Sequence, residues 1–243
     1  PVLLSAILLA GCNNNNKVVI KGAFTAPAEG VVYLDQSEVD RSIRVDSAEI
    51  RRGRFKFVAE ISGPEFFQVR FPGNEFVALL VMPGEDISLE LGKAPVAMNY
   101  TVQGSPGSSD IRMLDQQLLV TRGRLDSLRT IYTSLSSDEL ALRGPELEKA
   151  YTDAVEAQRK FNIKFVIENI SSMSSIQALY QRLDENTYVL YQPRDLQYLK
   201  IVSDSLSVRY PVSRHVRALK ENVTSELNQM YINRISSLAM QLP

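Results

Sequence analysis

Cysteine is nearly absent from this chain: one thiol, Cys12, and one histidine, His215, stand among 243 residues. A single cysteine excludes an intramolecular disulfide, a CxxC redox pair and a cysteine-built metal site. With one imidazole, a zinc centre would have to be made almost wholly of carboxylates, against the usual nitrogen and sulfur ligands. Tryptophan is missing, and so is a surplus of positive charge: 27 Lys and Arg stand against 28 Asp and Glu, for a net charge of −1. The chain therefore carries no electrostatic footprint for nucleic acid. It has no glycine-rich phosphate loop and no GxSxG serine setting. These absences leave no catalytic residue, no metal site and no cofactor to assign, and the expectation is that this chain is not an enzyme.

What is present begins with "LLSAILLAGCNNNN", Leu3 to Asn16. Val2 to Gly11 is too short to cross a bilayer, which takes about 20 apolar residues. It has the length of a signal-peptide core, and residues 1–11 are expected to be the remnant of one. Leu9-Ala10-Gly11-Cys12 resembles a bacterial lipobox, in which the thiol takes a diacylglyceryl group and the chain is cut before it. The lone thiol is thus expected at Cys12 as a lipid attachment point. Residues 12–16 would then form a polar asparagine tether, with the membrane as partner.

Residues 17–104 carry the marks of β structure. "KVVIKGAF", "GVVYLDQ", "RSIRVDSAEI", "GRFKFVAEI", "FFQVRF", "EFVALLVM", "DISLEL" and "MNYTVQG" are short, β-branched and aromatic. Turn residues separate them. In "GRFKFVAEI", Phe55, Phe57, Ala59 and Ile61 alternate with Arg54, Lys56, Val58 and Glu60, so one face is buried and the other is wet. The expected fold is α+β with the classes segregated: an antiparallel sandwich of seven or eight strands, then an all-helical region of about five helices, 108–240. "GSPGSSD" (104–110) marks the boundary, and a hinge is expected near Gly104 to Gly107.

The helical part opens on a three-four rhythm of Ile111, Leu114, Leu118, Leu125, Leu128, Tyr132 and Leu135, with Thr121 in its gap. "SSDE" (136–139) has the form of a capping box, and Gly144-Pro145 is expected to punctuate the chain before a second long helix. That helix would bury Leu147, Tyr151, Ala154, Phe161 and Phe165 against the first as an antiparallel hairpin. Met113, Leu119, Val120 and Ile131 broaden the first apolar face, so a second surface is expected to cover it, either a C-terminal domain or another copy in a homodimer through the helical region.

Other reactive-looking residues have plainer readings. Asp35, Asp40 and Asp46 are expected in turns and at strand edges. Arg51-Arg52-Gly53-Arg54 is expected as a solvated hairpin tip. Tyr180, Tyr188, Tyr191 and Tyr198 are expected to pack between helices rather than line a peptide groove. His215, between Arg214 and Arg217, is expected at a surface or an interface.

The motifs "VVIKGAF", "VDSAEIRRGRFKF", "PGEDI" and "VQGS" together resemble the domain of unknown function at the N-terminus of many Bacteroidota lipoproteins. The residues that carry the likeness are Gly22, Asp46-Ser47, Gly53, Phe55, Phe57, Pro83-Gly84 and Gly104-Ser105. "NISSMSSIQALYQRLDEN" and "LSVRYPVSRHVRALKENV" resemble the segment that joins this domain to a C-terminal thioredoxin-like domain of the TlpA type. The resemblance implies a lipid-anchored module of the cell envelope. It is expected to face the periplasm, on the outer rather than the inner membrane, because Asn13 is not the Asp that retains lipoproteins at the inner membrane and no acidic export signal follows Cys12. Its partner would be a thioredoxin-like thiol–disulfide oxidoreductase domain beyond Pro243, whose CxxC has no counterpart here. The alternative is a stand-alone envelope lipoprotein that binds a peptide, glycan or protein.

Overall fold

A computed structural model describes residues 16–239 apart from Asn74, and side chains as far as residue 230. Eight strands come first: β1 Lys17–Phe24, β2 Val31–Ser37, β3 Ser42–Glu49, β4 Arg54–Glu60, β5 Glu65–Arg70, β6 Phe76–Val81, β7 Asp86–Leu91 and β8 Tyr100–Gln103. They form two four-stranded sheets, ordered β4-β1-β7-β8 and β3-β2-β5-β6. Period-two alternation drives this arrangement. Ile20, Leu34, Phe57, Val69, Leu79 and Leu91 all point between the sheets and are buried. Each such side chain contributes about 1.5–3 kcal/mol. Pairing is antiparallel except between β1 and β7, where Ile20 lies opposite Ile87 in parallel. The parallel pair arises because five strands intervene, four of them in the other sheet, before the chain returns beside β1.

Two local devices shape the sandwich. The Phe55 ring occupies the space where a Cβ at position 22 would stand, so Gly22 lets β4 close over β1. The β3–β4 turn has positive φ at Arg52 (53°) and Gly53 (71°), as two-residue hairpin turns of the type I′ class require.

The helices are α1 Pro106–Ser134, α2 Ser137–Glu168, α3 Ser174–Tyr180, α4 Leu196–Arg209 and α5 Arg214–Ala239, with a 3₁₀ turn at Pro193–Asp195 leading into α4. A two-residue loop joins α1 to α2 as the expected hairpin. The expected break at Gly144-Pro145 does not occur: α2 starts at Ser137 and runs through Pro145. Ser136 and Glu139 make a complete capping box, which nucleates the helix two turns before the proline. Pro145 then costs one backbone hydrogen bond without ending the helix. On α1, Ile111, Leu114, Leu118, Thr121 and Leu125 are buried, whereas Leu128 and Leu135 are half-buried and Tyr132 is exposed.

The sandwich and the helices also share packing beside the expected hinge. The outer face of β5 and β6 supplies Phe66 and Leu80 to the helical core, where they join Ile111, Leu114, Leu179 and Val216. The sheet is thus a wall shared by two cores. Among the described residues no helix is long and apolar enough to cross a membrane.

Candidate functional site

The chemistry-bearing side chains concentrate where the helices meet the sandwich. At the start of α1, the hydroxyls of Ser105 and Ser108 both donate to the Leu80 carbonyl, at 3.0 and 2.9 Å. Ser105 also caps the helix by accepting from the Ser108 amide. A Cβ at Gly104 would overlap the Asp86 carbonyl, and one at Gly107 would press on Leu80. These contacts convert the serine- and glycine-rich boundary into a fixed joint.

The second half of the joint is made by α5. The Arg214 guanidinium donates to Glu38 and, at 3.0 Å, to Glu65 Oε1. Glu38 also accepts from Arg41 Nε at 3.2 Å. His215, next in sequence, places its ring edge-on to Phe66 with centroids 5.0 Å apart. Burial lowers its pKa below the ordinary 6.5, Arg214 lowers it further, and Glu65 pulls the other way. His215 therefore lies at an internal interface, in agreement with the reading from sequence. The sequence signal for the joint was the pair "FF" and "LL" in β5 and β6, since consecutive apolar residues mark strands covered on both faces.

Behind the joint, a buried polar ladder ties α1, α2 and α3. Thr121 donates to Gln158 (2.6 Å), Gln158 to Asn162 (2.8 Å), and Asn162 to Gln181 (2.9 Å) and the Ala178 carbonyl (2.8 Å). Gln177 and Gln181 then donate to Asp115, at 2.9 and 3.4 Å. Burial raises the Asp115 pKa despite these bonds. Arg159 pairs with Asp195 in the interior, where both are nearly inaccessible. Every member is satisfied, which is what a rigid buried network requires.

A further cluster lies on the outer face of the β3-β2-β5-β6 sheet. Asp35 is not at a turn but inside β2, 5% exposed, beside a β-bulge at Leu34/Asp35. It accepts from Arg44 Nε (2.9 Å) and Arg70 Nε (3.2 Å). Burial works to raise its pKa, but the two guanidiniums outweigh this and hold it below the ordinary carboxylate value. Nothing local in the sequence joins residues 35, 44 and 70; only strand pairing does.

The remaining candidates fall as follows. Asp40 is an exposed turn residue, and Asp46 is exposed in β3 and accepts from the Ser47 amide. The tip at 51–54 is a solvated turn in which Arg51 pairs with Glu49 at 3.0 Å. Tyr180 packs at the helical core with its pKa pushed up to about 12, chiefly by burial. Tyr198 packs there too, while Tyr188 and Tyr191 are exposed. Among the described residues no group of three or more His, Cys, Asp or Glu side chains is assembled to hold a metal. Cys12, the expected lipid attachment point, lies outside the described residues, as do 1–11 and most of the tether.

Residues 18–110 match a family described as Domain of unknown function (DUF4369). The match spans the sandwich and the first residues of α1, including the Ser105–Ser108 half of the joint. No curated protein matches the chain.

Proposed function

We propose that this chain is a non-catalytic, lipid-anchored module of the cell envelope that holds a thioredoxin-like thiol–disulfide oxidoreductase domain at a fixed position. Cys12 carries the lipid, 13–16 is the tether, and the module faces the periplasm, on the outer rather than the inner membrane. The observation that supports the reading best is the joint. Paired serine hydroxyls at one end and Arg214 at the other join the first and last helices to the sandwich, which suits a spacer that must transmit position rather than absorb it. The lipobox-like "LAGC" supports the anchor, and the resemblance of the helical segments to TlpA-type linkers supports the partner.

One experiment addresses each half. In cells producing the full-length protein, membrane fractionation should find the wild type in the membrane pellet and the Cys12→Ala protein in the soluble periplasmic fraction. A pellet unchanged by that substitution ends the anchor reading. Insulin reduction by the purified chain should equal the blank, whereas the full-length protein should reduce insulin; a full-length protein that also equals the blank removes the proposed partner. The Asp35–Arg44–Arg70 cluster favours a second reading, an envelope lipoprotein that binds a partner through its sandwich.

A further inference from the structure

The Arg44–Asp35–Arg70 arrangement has more donors than its internal bonds consume. Asp35 takes one Nε from each arginine, and Arg70 Nη2 donates to Gln68 at 2.9 Å. Arg44 Nη1 and Nη2 and Arg70 Nη1 make no hydrogen bond among the described residues. Both guanidiniums are also fixed from the side: Arg44 lies over the Tyr33 ring at 3.7 Å, and Arg70 lies near the Phe76 ring at 5.3 Å. Their Nε atoms grip the two oxygens of one carboxylate, so the two forks are neighbours. Their side chains are 51% and 29% exposed, while Asp35 is 7% exposed. Arginine loses much rotamer entropy when it binds a ligand, and anchoring it beforehand removes part of that cost.

A structural role alone would need only the Nε bonds that satisfy the buried carboxylate. The free outer edges are what a bidentate acceptor would use, because an arginine fork matches the spacing of a carboxylate. The bulge beside Asp35 fits this reading, since bulges re-aim side chains next to functional sites. Two guanidiniums and one carboxylate leave a single positive charge, which one monoanion neutralises. We infer that Arg44 and Arg70, held from behind by Asp35, form a binding site for a carboxylate side chain of an acidic peptide segment. This inference is independent of the anchor at Cys12 and of any oxidoreductase partner.

The test is an NMR titration of the arginine Nε resonances of the purified chain with acetyl-Glu-Gly-Glu-amide, with acetyl-Gln-Gly-Gln-amide as control. The Glu peptide should give saturable shifts at Arg44 and Arg70, and the Gln peptide none. Arg44→Gln, which replaces the guanidinium with a neutral amide that can still donate, should weaken binding about tenfold, equivalent to about 1.4 kcal/mol, with the circular dichroism checked against the wild type. Asp35→Asn discriminates further. It raises the local positive charge, so simple attraction would tighten binding, whereas a positioned clamp should bind more weakly. Tighter binding by Asp35→Asn, unsaturable shifts, or saturation by inorganic phosphate at lower concentration than the Glu peptide would each overturn the assignment.

Discussion

Phe66 of β5 and His215 of α5 meet edge to face, with ring planes at 77°, and this contact closes the seam between sandwich and helices. Two buried atoms at the same seam, Glu65 Oε2 and His215 Nε2, make no hydrogen bond among the described residues. The seam is therefore sensitive to whether the imidazole carries a proton. Arg214 stands next to it and Glu38 and Glu65 face it, so both signs of charge are within reach.

The fold favours the neutral imidazole, because burial lowers its pKa from 6.5. The unfolded chain takes up this proton at higher pH than the folded one, so stability rises with pH across the interval between the two values. The contribution is full above about pH 6.5 and is lost as pH falls through the folded value. His215 is the single histidine, so no other side chain has an ordinary pKa in that window. Urea denaturation midpoints should fall between about pH 7 and pH 5.5, and His215→Gln should flatten that slope. Asp35, lowered, and Asp115, raised, titrate alike in both proteins and cancel in the comparison. Parallel slopes would exclude the histidine as the cause.

Gly104 tests whether the joint is fixed. Its φ is 83°, a left-handed conformation that costs alanine about 1–2 kcal/mol. A Cβ there would also overlap the Asp86 carbonyl. Gly104→Ala should lower stability by about 2 kcal/mol or more in chemical denaturation. In the wild type, limited proteolysis should spare 104–107; initial cleavage there would show a hinge after all.

How much of this was legible in the sequence differs between elements. The strands were, because "GRFKFVAEI" and its neighbours alternate with period two and glycine or proline marks their ends. The hairpin of α1 and α2 was too, from its three-four rhythm. Pro145 misled because local breaker chemistry was weighed above the capping box at Ser136, which starts the helix first. The boundary at 104–107 was legible in its position but not in its packing. Serine and glycine read as loop in sequence, yet the same small residues allow a helix start to press against a strand. The triad of Asp35, Arg44 and Arg70 was not readable, because its members meet only through β2–β3 and β2–β5 pairing.

The ladder through Asn162 makes a sharper stability prediction. Asn162→Ala strands Gln158, Gln181 and the Ala178 carbonyl in the interior. At about 1–3 kcal/mol for each unsatisfied buried group, with partial relief by water, the loss should be about 3 kcal/mol in chemical denaturation. Thr121→Val removes one bond at the ladder's end and should cost about 1 kcal/mol. Equal costs for the two would mean that the ladder does not act as a connected network.

Self-association through α1 is the last expectation to test. Met113, Val120 and Ile131 are 44%, 57% and 39% exposed, and at 100° per residue they fall on one side of the helix. Gln117 and Arg124 interrupt that line, and Leu119 is half-buried, so the patch is narrower than the sequence suggests. Leu118 faces the other way, into a core with Leu125, Ala154 and Val189. Leu118→Glu should therefore unfold the helical part, because a charge enters an apolar site without a partner. Val120→Glu should leave the circular dichroism unchanged and shift any dimer to monomer in sedimentation. A patch so interrupted supports only a weak dimer, visible at about 100 μM, where even micromolar complexes form. A wild-type chain that sediments as a monomer at that concentration would mean that α1 presents this face to solvent alone.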